Sequence, residues 1–476
     1  MALQTLNPPL RWRPEPSFPI NDRTIVDLIP RRWALPQATV AVGACASCQI
    51  ATGNGGFWNP LVGSETALRK VVPKRVDLAT LGNLCVDIVL GVPSLPLAPK
   101  NERRAYMERL AASPPDKKFW EAGGNCNLAI AASRLGLSCF TVGHVGDEIY
   151  GNFLLEVLED ENINFLGMSK NADRTANVAD YQTLLCFVLV DPFQKHGFCS
   201  RADFSEEPAF IWMTELTDEI KMAIRQSKIL FCNGYAFDEF FPDLLISALD
   251  CAISGGTSVF FDPGPRVKTL SNGTPQEQMA LQQFLRQSDV LLFTSDEVET
   301  LTGIHNPIEA GKALIREGVR TKWVIIKMGA KGSILIDHSS VSCAPSFKIN
   351  VVDTVGCGDS YSAAIAFGFI HGIPAINTLT LANAVGAATA TGCGAGRNVA
   401  QLSRVLELLN QSILNEDDKF WNELIGGNSL NNEVLLLSKV SINGHSHGFN
   451  RIPISSVVSK LLTIFEAANE RGTVSS

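Results

Sequence analysis

Asp353-Thr354-Val355-Gly356-Cys357-Gly358-Asp359 runs directly into Ser360-Tyr361-Ser362-Ala363-Ala364-Ile365-Ala366. The second half is small and apolar and reads as a buried helix, while the first half is a glycine-punctuated turn with a carboxylate at the helix start. Such a turn can aim successive backbone N–H groups at one point, where the helix dipole adds positive potential. That arrangement suits a transferring phosphoryl group, whose negative charge has to be stabilised as it moves. Asp359 then stands beside the phosphoryl acceptor, placed to take the proton from a hydroxyl nucleophile. A structural reading of the same letters is also open: a glycine-rich turn whose Asp caps the helix.

Upstream of this turn the chain alternates between two textures. Residues 76–82 read as a strand ending in a glycine, 128–135 as a small-residue helix, and 139–142 as the next strand. Further apolar strand candidates are 184–190, 229–232, 259–261, 290–293 and 324–326. Helical stretches such as 153–158, 279–286 and 308–316 lie between most of them. Strands alternating with helices predict a mostly parallel sheet covered on both faces. One large α/β unit from about 76 to 410 is the economical reading, with no internal repeat. Residues 411–476 form an extension with apolar stretches at 434–437 and 457–464, and no role follows from them.

Composition narrows the function class. The chain has 476 residues, 46% hydrophobic and 18% charged, enough to bury a sizeable core. Forty basic against forty-eight acidic residues give a net charge of −8, which argues against an electrostatic hold on nucleic acid. No apolar run approaches the eighteen or so residues of a membrane span. The reading is a soluble globular protein with no nucleic-acid or membrane partner. Charge is uneven along the chain: residues 1–75 carry nine Lys and Arg against four Asp and Glu, leaving 31 against 44 for the remainder. The leader also holds nine of the twenty-four prolines. Basic, acid-poor and without helical or strand periodicity, it reads as a disordered presequence for organelle import, plastid before mitochondrion. Its low serine content together with Asp22 and Asp27 fits that reading less well, and a plain disordered tail on a cytoplasmic protein is the alternative. The twelve cysteines are scattered through apolar segments and read as reduced, buried thiols. Cys45-x-x-Cys48 lacks the further ligands of a tetrahedral zinc site.

Asp-Thr-x-Gly-x-Gly-Asp resembles the C-terminal signature of the ribokinase-like, or PfkB-type, sugar and nucleoside kinases. Other segments agree with that family in order. Gly82-Asn83-Leu84-Cys85-Val86-Asp87 is similar to its first strand, where an Asp five residues after the Gly holds sugar hydroxyls. Ala122-Gly123-Gly124-Asn125-Cys126-Asn127 is similar to its N-terminal signature, and Val142-Gly143-His144-Val145-Gly146-Asp147 to the strand and turn that follow. Asp262-Pro263-Gly264-Pro265-Arg266 resembles its Asp-Pro-x-x-Arg strand end, and Lys327-Met328-Gly329-Ala330-Lys331-Gly332 its nucleotide-side glycine turn. The resemblance covers about 76–410 and implies a three-layer α/β/α sandwich with a small β lid. Lid strands are expected after Asp87 and from about 170 to 212.

The function implied is an ATP-dependent phosphotransferase acting on a hydroxyl, with a hydroxymethyl group expected first, of a sugar or nucleoside. Asp359 is the expected base, with the Gly356, Cys357 and Gly358 backbone stabilising the phosphoryl group. Asp87, Gly123, Gly124 and Asn127 are expected at the acceptor, and Lys327, Gly329, Gly332, Thr354 and Asn383 at the nucleotide. Asn127 could equally cap its helix. Magnesium is expected near Glu297, where Thr294-Ser295-Asp296-Glu297 takes the place of the family's Asn-x-x-Glu and so departs from it. A monovalent cation (K+) near the anion turn and a homodimer through the lid are further implications. Two more departures stand out: only two residues separate Gly123-Gly124 from Asn127, where the family has three, and Cys357 replaces an alanine, adding a thiol open to oxidation. These departures leave room for a rival reading, a catalytically silent scaffold or regulator in an organelle, although both glycines and Asp359 are retained.

Overall fold

A computed structural model describes residues 72–96, 99–112, 115–167, 182–193, 196–200, 203, 207–426, 433–439 and 449–473. The Cys45/Cys48 pair and residues 1–71 of the basic leader lie outside the described residues. In chain order the described strands are β1 (Val76–Leu81), β2 (Leu84–Gly91), β3 (Trp120–Gly124), β4 (Cys139–Gly143) and β5 (Asn164–Gly167). They continue with β6 (Leu184–Val190), β7 (His196–Ser200), β8 (Ser227–Asn233), β9 (Ser258–Asp262) and β10 (Val290–Thr294). The last are β11 (Trp323–Lys327), β12 (Ser333–Ile336), β13 (Ser340–Ala344), β14 (Glu433–Ser438) and β15 (Asn450–Pro453).

Eleven strands form the main sheet in the order β15-β14-β13-β12-β11-β10-β9-β8-β1-β4-β5. Within it β12 alone runs against its neighbours; the other described pairings are parallel. Central strands read as unbroken apolar runs because both of their faces are buried. Successive side chains then alternate between two cores: Val290 and Leu292 enter one, Leu291 and Phe293 the other. Helices Asn125–Arg134, Cys357–Ile370 and Ala375–Thr389 cover the first face. Helices Asp218–Gln226, Pro242–Ser254, Pro275–Gln287 and Pro307–Glu317 cover the second. The result is the expected three-layer α/β/α sandwich.

The described residues beyond 411 are built into this body. β14 pairs with β13 and β15 with β14, Trp421 is 1% exposed in one core, and Phe465 stacks on Phe367 at 5.5 Å in the other.

A second, four-stranded sheet has the order β3-β2-β6-β7. It departs from β1 at Gly82 and Asn83, whose φ values of 66° and 51° turn the chain sharply from one sheet into the other. The sequence places the start of the lid after Asp87. It begins at Leu84 instead, so Asp87 lies in the middle of a lid strand, paired with Glu121 on one side and Cys186 on the other. Parallel strands β1, β8, β9, β10 and β11 all end on the same side of the main sheet. In register, Asn233 ends opposite Asp262 and Thr294 opposite Lys327. Crevices at carboxyl ends of such strands are the usual ligand sites of open α/β sheets.

Candidate active site

Helix Cys357–Ile370 starts at this crevice. Its N-cap is Gly356, at φ 73°, a left-handed conformation that glycine adopts without the clash a Cβ brings. No side chain caps the helix; Cys357 N–H turns back to the Thr354 carbonyl at 3.3 Å, which leaves the Gly358 and Asp359 N–H groups to meet a ligand. Asp359 sits in the first turn, past the N-cap, which sets the capping reading of this residue aside. Asp353 shapes the turn from behind: its Oδ1 accepts from the Val355 N–H at 3.0 Å and its Oδ2 from Gly394 N–H at 2.7 Å.

Two cavities meet at this helix start. One, of about 390 Å³, is lined by Asp87, Gly124, Asn127, Thr354, Gly356 and Asp359, with lid residues Cys85, Leu185, Cys186 and Phe198 above. The other, of about 450 Å³, is lined by Lys327, Gly329, Gly332, Thr354, Cys357, Gly358, Tyr361, Asn383 and Gly386. Asp359 faces the first and Gly358 the second, while Thr354 borders both.

In the first cavity Asp359 keeps some exposure but is crowded on every side. Burial, partly offset by the Asn127 hydrogen bond, pushes its carboxyl up to about 6; Asp262 pushes the same way and Lys327 opposes it. Asn127 Nδ2 donates to Asp359 Oδ2 at 3.2 Å, and its Oδ1 accepts from Gly396 N–H at 2.8 Å. The helix begins two residues earlier, at Asn125, so Asn127 caps nothing and instead orients Asp359. Asp87 is 6% exposed, and burial raises its carboxyl to about 7, against the hydrogen bond that Cys85 Sγ donates at 3.5 Å. Gly123 backs this carboxyl rather than lining the cavity: a Cβ there would lie 2.2 Å from Asp87 Oδ1.

In the second cavity Lys327 Nζ lies 2.6 Å from Asp262 Oδ2, with the two side chains 15% and 14% exposed. Glu297 stands beside the pair. Burial raises its carboxyl, Asp262 adds to that rise and Lys327 opposes it. Glu297 also closes a capping box, its Oε2 accepting from Thr294 N–H at 2.7 Å. Magnesium typically takes one or two carboxylates and keeps several waters, and Asp262 with Glu297 is a donor set of that kind. No cluster of three His, Cys, Asp or Glu placed to hold a metal by protein ligands alone occurs among the described residues. Asn383 borders the cavity, yet its amide is spent on the fold: Oδ1 accepts from the Ser333 hydroxyl, and Nδ2 donates to the Ala344 and Pro345 carbonyls. The Cys357 thiol is pushed up to about 12 by burial and by Asp353 and Asp359, so it stays protonated at neutral pH, as a non-reactive thiol should. All ten described cysteines are free.

Several residues in and around the acceptor cavity are not read from the sequence as site residues, although Arg266 closes the Asp-Pro-x-x-Arg match. Arg266 is clamped between Asp203 (2.8 Å) and Asp238 (2.6 Å) with its guanidinium over the Tyr235 ring. Arg103 reaches the same Asp203 at 3.6 Å from helix Lys100–Ala111. Asn125 ties the β1 end to Asn233, donating to the Leu81 and Gly82 carbonyls while accepting from Asn233 Nδ2 at 2.9 Å. Glu239, 2% exposed and raised to about 8 by burial, accepts from Asn83 N–H at 2.7 Å. Asn233, a polar residue closing an apolar strand at the crevice, is the one of these that a strand-end rule could have found.

Comparison with known proteins agrees with this fold. Over 335 residues the chain is 28% identical to 5-dehydro-2-deoxygluconokinase 2 of Bacillus cereus, covering 68% of this chain and 90% of that protein. A probable sugar kinase from Rhizobium etli CFN 42 superposes with a TM-score of 0.56 at 15% identity, over 71% of this chain and 99% of the other. Ribokinase of Arabidopsis thaliana, solved with ribose and ATP, superposes with a TM-score of 0.51 at 20% identity, over 70% and 98% respectively. At these identities the two structures speak for the fold alone. The model of the pfkB family carbohydrate kinases matches residues 97–401, from within the lid to just past the anion turn and its flanking helices. The chain therefore belongs to the pfkB family of carbohydrate kinases.

Proposed function

We propose that the chain transfers the γ-phosphoryl group of ATP to a primary hydroxyl of a sugar. The observation that carries this reading is the meeting of two cavities at one uncapped helix start, with Asp359 on the acceptor side and the Gly358 backbone on the other. Asp359, oriented by Asn127, removes the hydroxyl proton as the oxygen attacks phosphorus. The N–H groups of the turn meet the charge of the phosphoryl in transit. Asp87 accepts hydrogen bonds from sugar hydroxyls, and the β2–β6 lid excludes water. Asp262 and Glu297 would hold magnesium, which neutralises triphosphate charge when bound. A monovalent cation near the turn belongs to the same proposal.

For the acceptor we favour a sugar over a nucleoside and a sugar acid as the first to test. Arg103 and Arg266 both line the acceptor cavity, and the relative with 28% identity is named for an oxidised deoxygluconate. The opposing feature is the acid-rich wall of Asp87, Asp203, Asp238 and Glu239, which a neutral polyol would suit better. ADP release from residues 72–476, with magnesium and with or without potassium, against sugar acids, neutral hexoses and pentoses, and nucleosides decides this. Turnover with a sugar acid is the expected result. Turnover with a nucleoside alone, or a silent panel from folded protein that binds ATP, sinks the reading, the latter in favour of the scaffold role.

We also propose that the basic, acid-poor leader is an organelle import segment. The Bacillus relative named above is bacterial and lends this no support. Residues 1–75 fused to a fluorescent protein in plant cells should direct it to plastids; a diffuse signal would end the proposal.

A further inference from the structure

The lid meets the anion turn through contacts that phosphoryl transfer, as described above, does not use. One is a small apolar cluster separate from both main cores: Val188 of β6 packs with Val355 of the turn and Ala395 of the following loop, against Val89 and Cys186. The other is polar. His196, the first residue of lid strand β7, brings Nε2 to 2.7 Å from Asp353 Oδ1, with side chains 13% and 3% exposed. The approach is close but off-line for a hydrogen bond, and the buried Nε2 has no aligned partner among the described residues. Asp353 is the carboxylate whose two oxygens already hold Val355 N–H and Gly394 N–H. The Gly394 loop in turn carries Gly396, whose N–H fixes Asn127, and Arg397, which pairs with Glu121 of β3 at 3.1 Å. One buried carboxylate thus touches the turn, the loop that orients the catalytic pair, and the lid.

We propose that His196 is a positioning residue that couples lid closure to the setting of the anion turn. With the lid down, the imidazole holds the buried Asp353 carboxylate in place, and the Val355 and Gly394 N–H groups are held with it. With the lid up, Asp353 loses the His196 side chain, and the turn slackens. Phosphoryl transfer then awaits a closed lid, which keeps water from replacing the sugar hydroxyl as the attacking oxygen. Coupling of this kind needs contacts present in one lid state and absent in the other, and the His196 pair with the Val188–Val355 cluster supplies them. Other titratable groups near this pair are the Cys357 and Cys393 thiols, both raised by burial first and then by Asp353, with Asp359 also acting on Cys357 and Glu121 on Cys393. The coupling therefore rests on reach and packing, not on a change of charge.

The inference rests on phosphoryl transfer at Asp359, and its test separates the two. Amide hydrogen exchange of the whole protein, read by mass spectrometry, needs no substrate. His196→Ala should speed exchange in 353–358 and 392–398 about tenfold, in the range of an ordinary intersite coupling, while His196→Gln, which keeps a polar group within reach, restores most of the protection. His196→Ala added to Asp353→Ala should change nothing further, because the partner is already gone. In the catalytic assay, the ratio of ATP hydrolysed to sugar phosphate formed should rise in His196→Ala with the affinity for a fluorescent ATP analogue unchanged. Exchange altered only within β7, or equal effects of His196→Ala in both backgrounds, overturns the coupling. A wild-type protein that phosphorylates no sugar overturns the kinase reading instead and leaves the exchange result to stand alone.

Discussion

Asp359→Asn lowers turnover by about 10²- to 10⁴-fold, the usual contribution of a positioned general base, while leaving ATP binding and thermal stability near those of the wild type. Asparagine is isosteric and can still pair with Asn127, so the geometry of the helix start survives and only proton acceptance is lost. The sign of the pH dependence follows from the raised carboxyl. Asp359 acts as a base only when ionised, and its value of about 6 places the loss of kcat/KM on the acid side, as pH falls through 6. Asn127 donates to the ionised form and so holds that value down. Asn127→Ala is therefore expected to move the acid limb to higher pH as well as to lower kcat, whereas a residue that merely shaped the cavity would raise KM and leave the limb in place. A pH series of kcat/KM on the three proteins checks this. An Asp359→Asn protein that keeps more than a tenth of the wild-type rate would remove Asp359 from the proton path.

Much of this site is legible in the sequence because its elements are local. The 353–366 segment carries its own turn, its own helix and its carboxylate, so no distant partner is needed to recognise it. Strands such as β10 and β11 are legible for a related reason: burial on both faces leaves a continuous apolar run with a polar residue only at the crevice. What stays hidden depends on pairing across the chain. Asn127 meets an aspartate 232 residues away, and whether an asparagine before a helix caps it or points elsewhere turns on a helix start two residues earlier. Asn383 reads as a nucleotide contact, but the carbonyls of Ala344 and Pro345 come from another element and consume its amide. Arg103, Asp203, Asp238 and Arg266 form one charged chain only once lid and sheet are folded together. The segment beyond 411 shows its apolar stretches plainly, yet nothing in them names β13 as the strand they extend.

Replacing Lys327 by methionine is expected to be nearly as damaging, for a different reason. The ammonium lies at the junction of Asp262, Glu297 and Asp359, and each of those carboxylates acts to keep it charged. Methionine fills the same stem but leaves the largely buried Asp262 with only its Gly264 N–H contact, which destabilises the fold by up to about 3 kcal/mol, the low end for removing one member of a buried pair. It also removes a charge that holds the Asp359 carboxyl down, so the acid limb of kcat/KM moves to higher pH and the rate at neutral pH falls for that reason alone. Beyond that, the transferring phosphoryl loses a positive neighbour: a Cβ on Gly358, at the helix start, would sit 3.9 Å from Lys327 Nζ. Removing one such electrostatic contact costs about 10²- to 10³-fold in kcat. Stability and catalysis separate in the double variant Lys327→Met with Asp262→Asn. Neutralising the orphaned carboxylate should restore most of the thermal stability, because a neutral amide is far cheaper to bury than an unpaired charge. Activity should not return with it, since neither the cation nor the Asp262 oxygen charge is regained. Recovery of turnover in step with the melting temperature would instead make Lys327 a structural counter-ion to Asp262, with the phosphoryl charge met by the backbone of the turn alone.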